Sequence, residues 1–66
     1  MNIQVNGQII ELEGELTVTE LLVRLEVNAV YRAVAINREV IVKSDYDTTM
    51  VIEGDKVEIV RPVSGG

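Results

Sequence analysis

Asn2-Ile3-Gln4-Val5-Asn6-Gly7-Gln8-Ile9-Ile10-Glu11-Leu12 stands near the start of the chain, and the later segments are fitted to the hairpin it encodes. Ile3 and Val5 alternate with Asn2 and Gln4, the period-two pattern of a half-buried strand. Asn6-Gly7 is a strong hairpin signal, because a type I′ turn needs positive φ at both central residues. A two-residue loop sets Val5 opposite Gln8 and Ile3 opposite Ile10. Ile3, Val5, Ile10 and Leu12 then share the core face, while Gln4, Ile9, Glu11 and Glu13 point away. Ile9 is the odd apolar residue on that outer side.

Gly14-Glu15 breaks the second strand. Thr17-Val18-Thr19-Glu20 has the spacing of a capping box, with Thr17 as N-cap and Glu20 as N3. Leu16 and Leu21 occupy the positions of a hydrophobic staple. Val18, Leu21, Leu22 and Leu25 repeat as one buried helical stripe, which leaves Thr19, Glu20 and Arg24 on the wet side. The helix is expected to end near Glu26.

Ala33 to Ile36 is apolar throughout, which predicts a strand covered on both faces or packed tightly under the helix, its two alanines allowing close approach. Asn37-Arg38-Glu39 reads as a turn and Val40 to Val42 as a short strand. Lys43 to Thr49 is polar and reads as turns. Glu53-Gly54-Asp55 makes a further turn. Lys56 to Arg61 alternates as a last strand, ended by Pro62, which has no N–H for a ladder. This strand is strongly apolar, so it belongs in the sheet centre beside the first. The sum is an α+β, β-grasp (ubiquitin-like) domain over residues 1–62, a mixed sheet of four to five strands with one main helix on one face. Residues 63–66 form a tail.

Composition narrows the chemistry. The chain has 66 residues, no Cys, no His, and eleven acidic against six basic side chains, for a net charge of -5. A domain of this size buries only about 60% of the surface its unfolded chain exposes, too little to enclose a deep substrate cavity. No thiolate and no imidazole is on hand as nucleophile, base or metal ligand. The acidity argues against nucleic acid and anionic membranes. No apolar run approaches the ~18 residues of a membrane helix, and no basic segment leads into a signal core. An acidic cytoplasmic domain without a bound metal is the expectation.

Glu11, Glu13 and Glu15 read best as a solvated strand end, and Asp45 and Asp47 as a polar turn lacking the rest of a calcium loop. Tyr31 and Tyr46 have no basic cluster to support stacking on bases. The end of the chain is different: Arg61-Pro62-Val63-Ser64-Gly65-Gly66. Two terminal glycines arise by chance in roughly one chain in two hundred. Here they follow a predicted central strand and project the carboxylate of Gly66. Without Cβ atoms Gly65 and Gly66 could thread a narrow channel. An ionised carboxylate is a poor electrophile and needs activation; the expected form is an acyl-adenylate made with ATP and Mg²⁺. A sulfur donor replacing AMP would leave a thiocarboxylate.

The whole chain resembles the ThiS family, the sulfur carriers of thiamine biosynthesis. The resemblance rests on the Asn6-Gly7 hairpin, Thr17-Val18-Thr19-Glu20-Leu21-Leu22, Ala35-Ile36-Asn37-Arg38-Glu39-Val40-Ile41 and the stretch from Glu53-Gly54-Asp55 to Gly65-Gly66. Ser64 stands where family members often carry another small residue. The resemblance implies adenylation of Gly66 by an E1-like ThiF enzyme, sulfur supplied by a donor enzyme through a persulfide, and delivery to the thiazole synthase ThiG. It marks Gly65 and Gly66 as the sulfur-carrying end. Val60, Pro62, Val63 and Ser64, with Ile9, are the expected docking residues. Competing readings are the small subunit of molybdopterin synthase, a TGS-like β-grasp binding module and a protein-conjugating ubiquitin-like modifier.

Overall fold

A computed structural model describes residues 1–27 and 33–60. Two hairpins are joined side by side through the last strand. β1 (Asn2–Val5) and β2 (Gln8–Glu11) are antiparallel, with Ile3 opposite Ile10 and Val5 opposite Gln8, the predicted register. Asn6 and Gly7 take φ of 50° and 82°, as a type I′ turn requires. β3 (Leu16–Thr17) leads into α1 (Val18–Arg24). β4 (Ala33–Ile36) and β5 (Glu39–Ile41) make the second hairpin. A single 3₁₀ turn over Lys43–Asp45, then β6 (Met50–Val51), leads to β7 (Lys56–Val60).

The main sheet has the order β2-β1-β7-β4-β5. β7 is central, parallel to β1 and antiparallel to β4. This is the β-grasp arrangement. A second ladder, absent from the sequence reading, pairs β3 with β6 at Leu16↔Val51 and Thr17↔Met50.

The predicted capping box is present. The Glu20 N–H donates to Thr17 Oγ1 at 3.1 Å, and the Thr17 N–H donates back to Glu20 Oε1 at 2.9 Å. Those bonds, backbone first and side chain second, hold the Glu20 carboxyl below the ordinary carboxylate range. The helix stops slightly earlier than expected. Glu26 adopts φ 57°, and the Val27 and Glu26 N–H groups donate to the Leu22 and Val23 carbonyls, a Schellman ending with glutamate where glycine is usual.

The core gathers Ile3, Val5, Leu12, Val18, Leu21 and Leu22 with strand residues Val34, Ile36, Val51 and Val57. Leu16, the staple residue, packs against its edge. Two readings need correction. β4 is not covered on both faces: Val34 and Ile36 are buried, while Ala33 is exposed and Ala35 half-buried on the other side. Alanine is simply the small side chain of an open face. Within the Lys43–Thr49 stretch, read as polar throughout, Tyr46 is the exception. It is 6% exposed and belongs to the core, and its carbonyl accepts from the Thr19 N–H. Tyr31, Pro62 and the tail over 63–66 lie outside the described residues.

Candidate functional site

The strands that cover the helix on one side leave the other side of the sheet open. Alternation along β7 buries Val57, half-buries Ile59 and turns Lys56, Glu58 and Val60 outward. Register extends this across the sheet. Val60 pairs with Ala33, and Glu58 pairs with Ala35, which in turn pairs with Val40 of β5. Val42, one residue past β5, falls opposite Ala33 by the same register and is 56% exposed. Val60, Val40 and Val42 therefore flank two alanines in a shallow trough that is apolar except for Glu58 beside Ala35, at the end of β7 from which the chain continues toward Gly66.

Of the docking residues expected from sequence, Val60 lies in this trough. Ile9 is 72% exposed on the same face but does not join it. It pairs with Gln4 of β1, which pairs with Lys56 at the start of β7, so polar side chains and four residues of strand separate Ile9 from Val60. Pro62, Val63, Ser64, Gly65 and Gly66 lie outside the described residues. Sequence reading missed Val40, Val42, Ala33 and Ala35. Their signal was parity: in Ala33-Val34-Ala35-Ile36 the small residues occupy alternate positions, which marks one face as thin.

Two of the segments that carry the family resemblance, the Asn37 turn and the Gly54-Asp55 turn, are joined by side-chain hydrogen bonds. Asn37 Nδ2 donates to Asp55 Oδ1 at 3.0 Å, and Asn37 Oδ1 accepts from the Lys56 N–H at 3.0 Å. Asp55 is buried, and its other oxygen accepts from the Ile52 N–H at 2.9 Å. The Asn37 turn and the Gly54-Asp55 turn thus lock the start of β7. Gly54 has φ 84°, which a side chain would strain. Both Asn37 and Asp55 serve the scaffold.

The other acidic residues have similar explanations. Glu53 accepts from the Asn2 N–H, and Asp47 from the Thr19 hydroxyl. Glu11, Glu13 and Glu15 are exposed. Among the described residues, no group of three or more acidic side chains is placed to hold a metal ion. A depression of about 590 Å³ between the two hairpin turns is lined by Gln4, Arg38, Lys56 and Glu58, a mixed-charge surface without a nucleophile. Among the described residues no helix is long and apolar enough to cross a membrane.

Comparison with known proteins gives these features a family. The model of the ThiS family matches residues 3–66. The chain belongs to the ThiS family. Two solved ThiS-like structures come from Geobacter metallireducens. The crystal structure of its thiamine biosynthesis protein ThiS is 39% identical, covers all of both chains and superimposes with a TM-score of 0.89. A solution structure of a thiamine biosynthesis protein from that organism is 40% identical, covering all of this chain and 88% of that one, with a TM-score of 0.80. A protein of Paramagnetospirillum magneticum named thiazole synthase is 38% identical over all 66 residues. The present ThiS-family chain spans only 20% of that relative's length.

Proposed function

We propose that this chain is a sulfur carrier of thiamine biosynthesis, itself no catalyst, in which a β-grasp body over residues 1–62 presents a 63–66 tail ending in Gly65-Gly66. The observation that supports the reading most directly is the ThiS family match, which runs from the first strand through the two glycines. In the activating step a Gly66 carboxylate oxygen attacks the α-phosphorus of ATP on an E1-like enzyme of the ThiF type, with Mg²⁺ there, and pyrophosphate leaves. A sulfur donor then attacks the acyl carbon and AMP leaves. With a persulfide donor this leaves an acyl disulfide. A second thiol attacks its donor-side sulfur, the S–S bond breaks, the donor leaves as a mixed disulfide with that thiol, and one oxygen of Gly66 has been replaced by sulfur.

The acceptor in this reading is a thiazole synthase of the ThiG type. Its support is the thiazole synthase relative, one fifth of which matches this whole chain. A carrier and its acceptor joined in one polypeptide have a high effective concentration for each other. Val60, Val40 and Val42 in the trough are docking residues for both partners, along with Pro62, Val63 and Ser64 of the following sequence. Such a carrier works in the cytoplasm, where ATP and the partner enzymes are found.

Intact-mass measurement tests the reading. The chain with Gly66 as its free C-terminus is incubated with an E1-like adenylating enzyme, ATP, Mg²⁺ and a sulfur donor. The expected result is a mass gain equal to oxygen-to-sulfur exchange, localised to Gly66 and abolished when Gly66 is deleted. A chain that acquires neither adenylate nor thiocarboxylate would instead be a β-grasp binding module. Stable binding to a molybdopterin synthase large subunit, with none to thiazole synthase, would move the carrier to the other pathway.

A further inference from the structure

Central strand β7 loses its β1 neighbour before it ends. β1 pairs with it only at Gln4↔Lys56 and Val5↔Val57. The Asn6 N–H still donates to the Val57 carbonyl at 2.9 Å, and the chain then turns away through Asn6 and Gly7 at positive φ. Parallel ladder bonds recur evenly along a strand, so a longer β1 would next offer a peptide group to Ile59. The side-chain amide of Asn6 takes that place. Its Oδ1 accepts from the Ile59 N–H at 2.8 Å, and its Nδ2 donates to the Ile59 carbonyl at 3.2 Å. On the opposite edge β4 continues to pair with β7 as far as Ala33↔Val60. The amide therefore keeps β7 held on both edges next to its last residue, and Gly66 lies six residues beyond Val60.

We propose that Asn6 is a positioning residue for activation of the tail, acting through Ile59 to fix the line along which β7 delivers the chain toward Gly66. This inference rests on the carrier reading above. A turn alone would not require asparagine. Glycine and aspartate also suit the first position of a type I′ turn, and only asparagine offers both a donor and an acceptor in peptide-like array. Held on one edge only, the end of β7 would fray and present Val60 and the tail in many directions. An activating enzyme would then select the competent one, which raises KM and leaves the bound complex to react as before.

The test compares Asn6→Gly with Asn37→Gly. Both keep a residue at ease with positive φ, and both remove side-chain bonds to β7, the first at its tail end and the second at its start. Adenylation by an E1-like enzyme is followed as pyrophosphate release, and amide exchange is followed by NMR. The expected result for Asn6→Gly is an Ile59 amide exchanging about tenfold faster, a KM raised about tenfold and a kcat within about twofold of the original. Asn37→Gly lowers Tm with KM unchanged. Should Asn6→Gly fail to fold, Asn6→Asp keeps the turn and the acceptor but loses the donor, and is expected to raise KM in the same sense. An unaltered KM in the Asn6 variant, or an equal rise in both variants, overturns the positioning role while the original chain turns over normally. An original chain that takes no adenylate brings down the carrier reading itself and the role of Asn6 in it.

Discussion

Arg38 sits at φ 69° in the two-residue turn between β4 and β5, after Asn37 at 51°. The first hairpin uses Asn-Gly for the same geometry; the second uses Asn-Arg. A left-handed conformation costs an L-residue roughly 1–2 kcal/mol, and glycine gives part of that back as chain entropy. Arg38→Gly is therefore expected to stabilise the domain by about 0.5–1 kcal/mol, read as a higher urea midpoint at unchanged m-value. The Arg38 turn also shows the limit of local reading. Asn6-Gly7 announces its turn type through residues that prefer it, whereas Arg38 has no such preference and is forced to positive φ by the pairing of strands on either side. Asp55 was legible as a turn residue and not as a buried acceptor, because its partner Asn37 is 18 positions away.

The helix start is the element most fully written in sequence, since its caps are made by residues three apart. Its stability carries a pH signature. The Glu20 carboxyl is held low by the Thr17 N–H first and the Thr17 hydroxyl second. A depressed folded-state pKa means a contribution fully present above the unfolded value, near 4.3, and lost as pH falls through the folded one. In an NMR titration Glu20 is expected to protonate at lower pH than a solvent-exposed glutamate. Thr17→Ala removes the hydroxyl but keeps the backbone N–H, so it is expected to bring Glu20 only part of the way back to the ordinary range and to lower Tm by roughly 5 °C at neutral pH. The β3–β6 ladder was illegible by contrast. Two residues cannot show a period, and the ladder exists because the start of α1 and the segment after the 3₁₀ turn are brought together by the core. Tyr46 was hidden for the same reason: its polar neighbours set the local composition, while its own burial depends on where α1 lies.

Across the whole molecule, charge and shape divide the work of recognition. The body carries a net charge of -5, and the trough on its open face is apolar apart from Glu58. Exposed valines contribute little to stability, so Val40→Asp and Val60→Asp are each expected to cost no more than about 1 kcal/mol of folding free energy. Each is expected to weaken the complex with an activating enzyme or a thiazole synthase at least about tenfold by calorimetry, because a carboxylate would be buried without a partner. Ile9→Asp, outside the trough, is expected to leave affinity within about twofold. The central placement of β7 was legible because its apolar content demanded cover on both edges. The trough was only partly legible: Val60 follows from the strand it ends, but Val40 and Val42 reach it through a register that no local pattern states.

β7 is the last of the described strands in sequence and the middle one in space, flanked by β1 and β4. Before residues 56–60 exist, the two hairpins have no strand between them, and a lone two-stranded ribbon is marginal in water. A nascent chain emerges from its N-terminus, so the main sheet cannot close until residues 56–60 have been made. The strand that completes the sheet also leads to the tail. A product interrupted before residue 56 would lack the joined sheet and the trough, and an enzyme that grips the folded surface would pass it over. The order of strands thus ties recognition to synthesis: a partner that grips the joined sheet meets only chains that already contain β7.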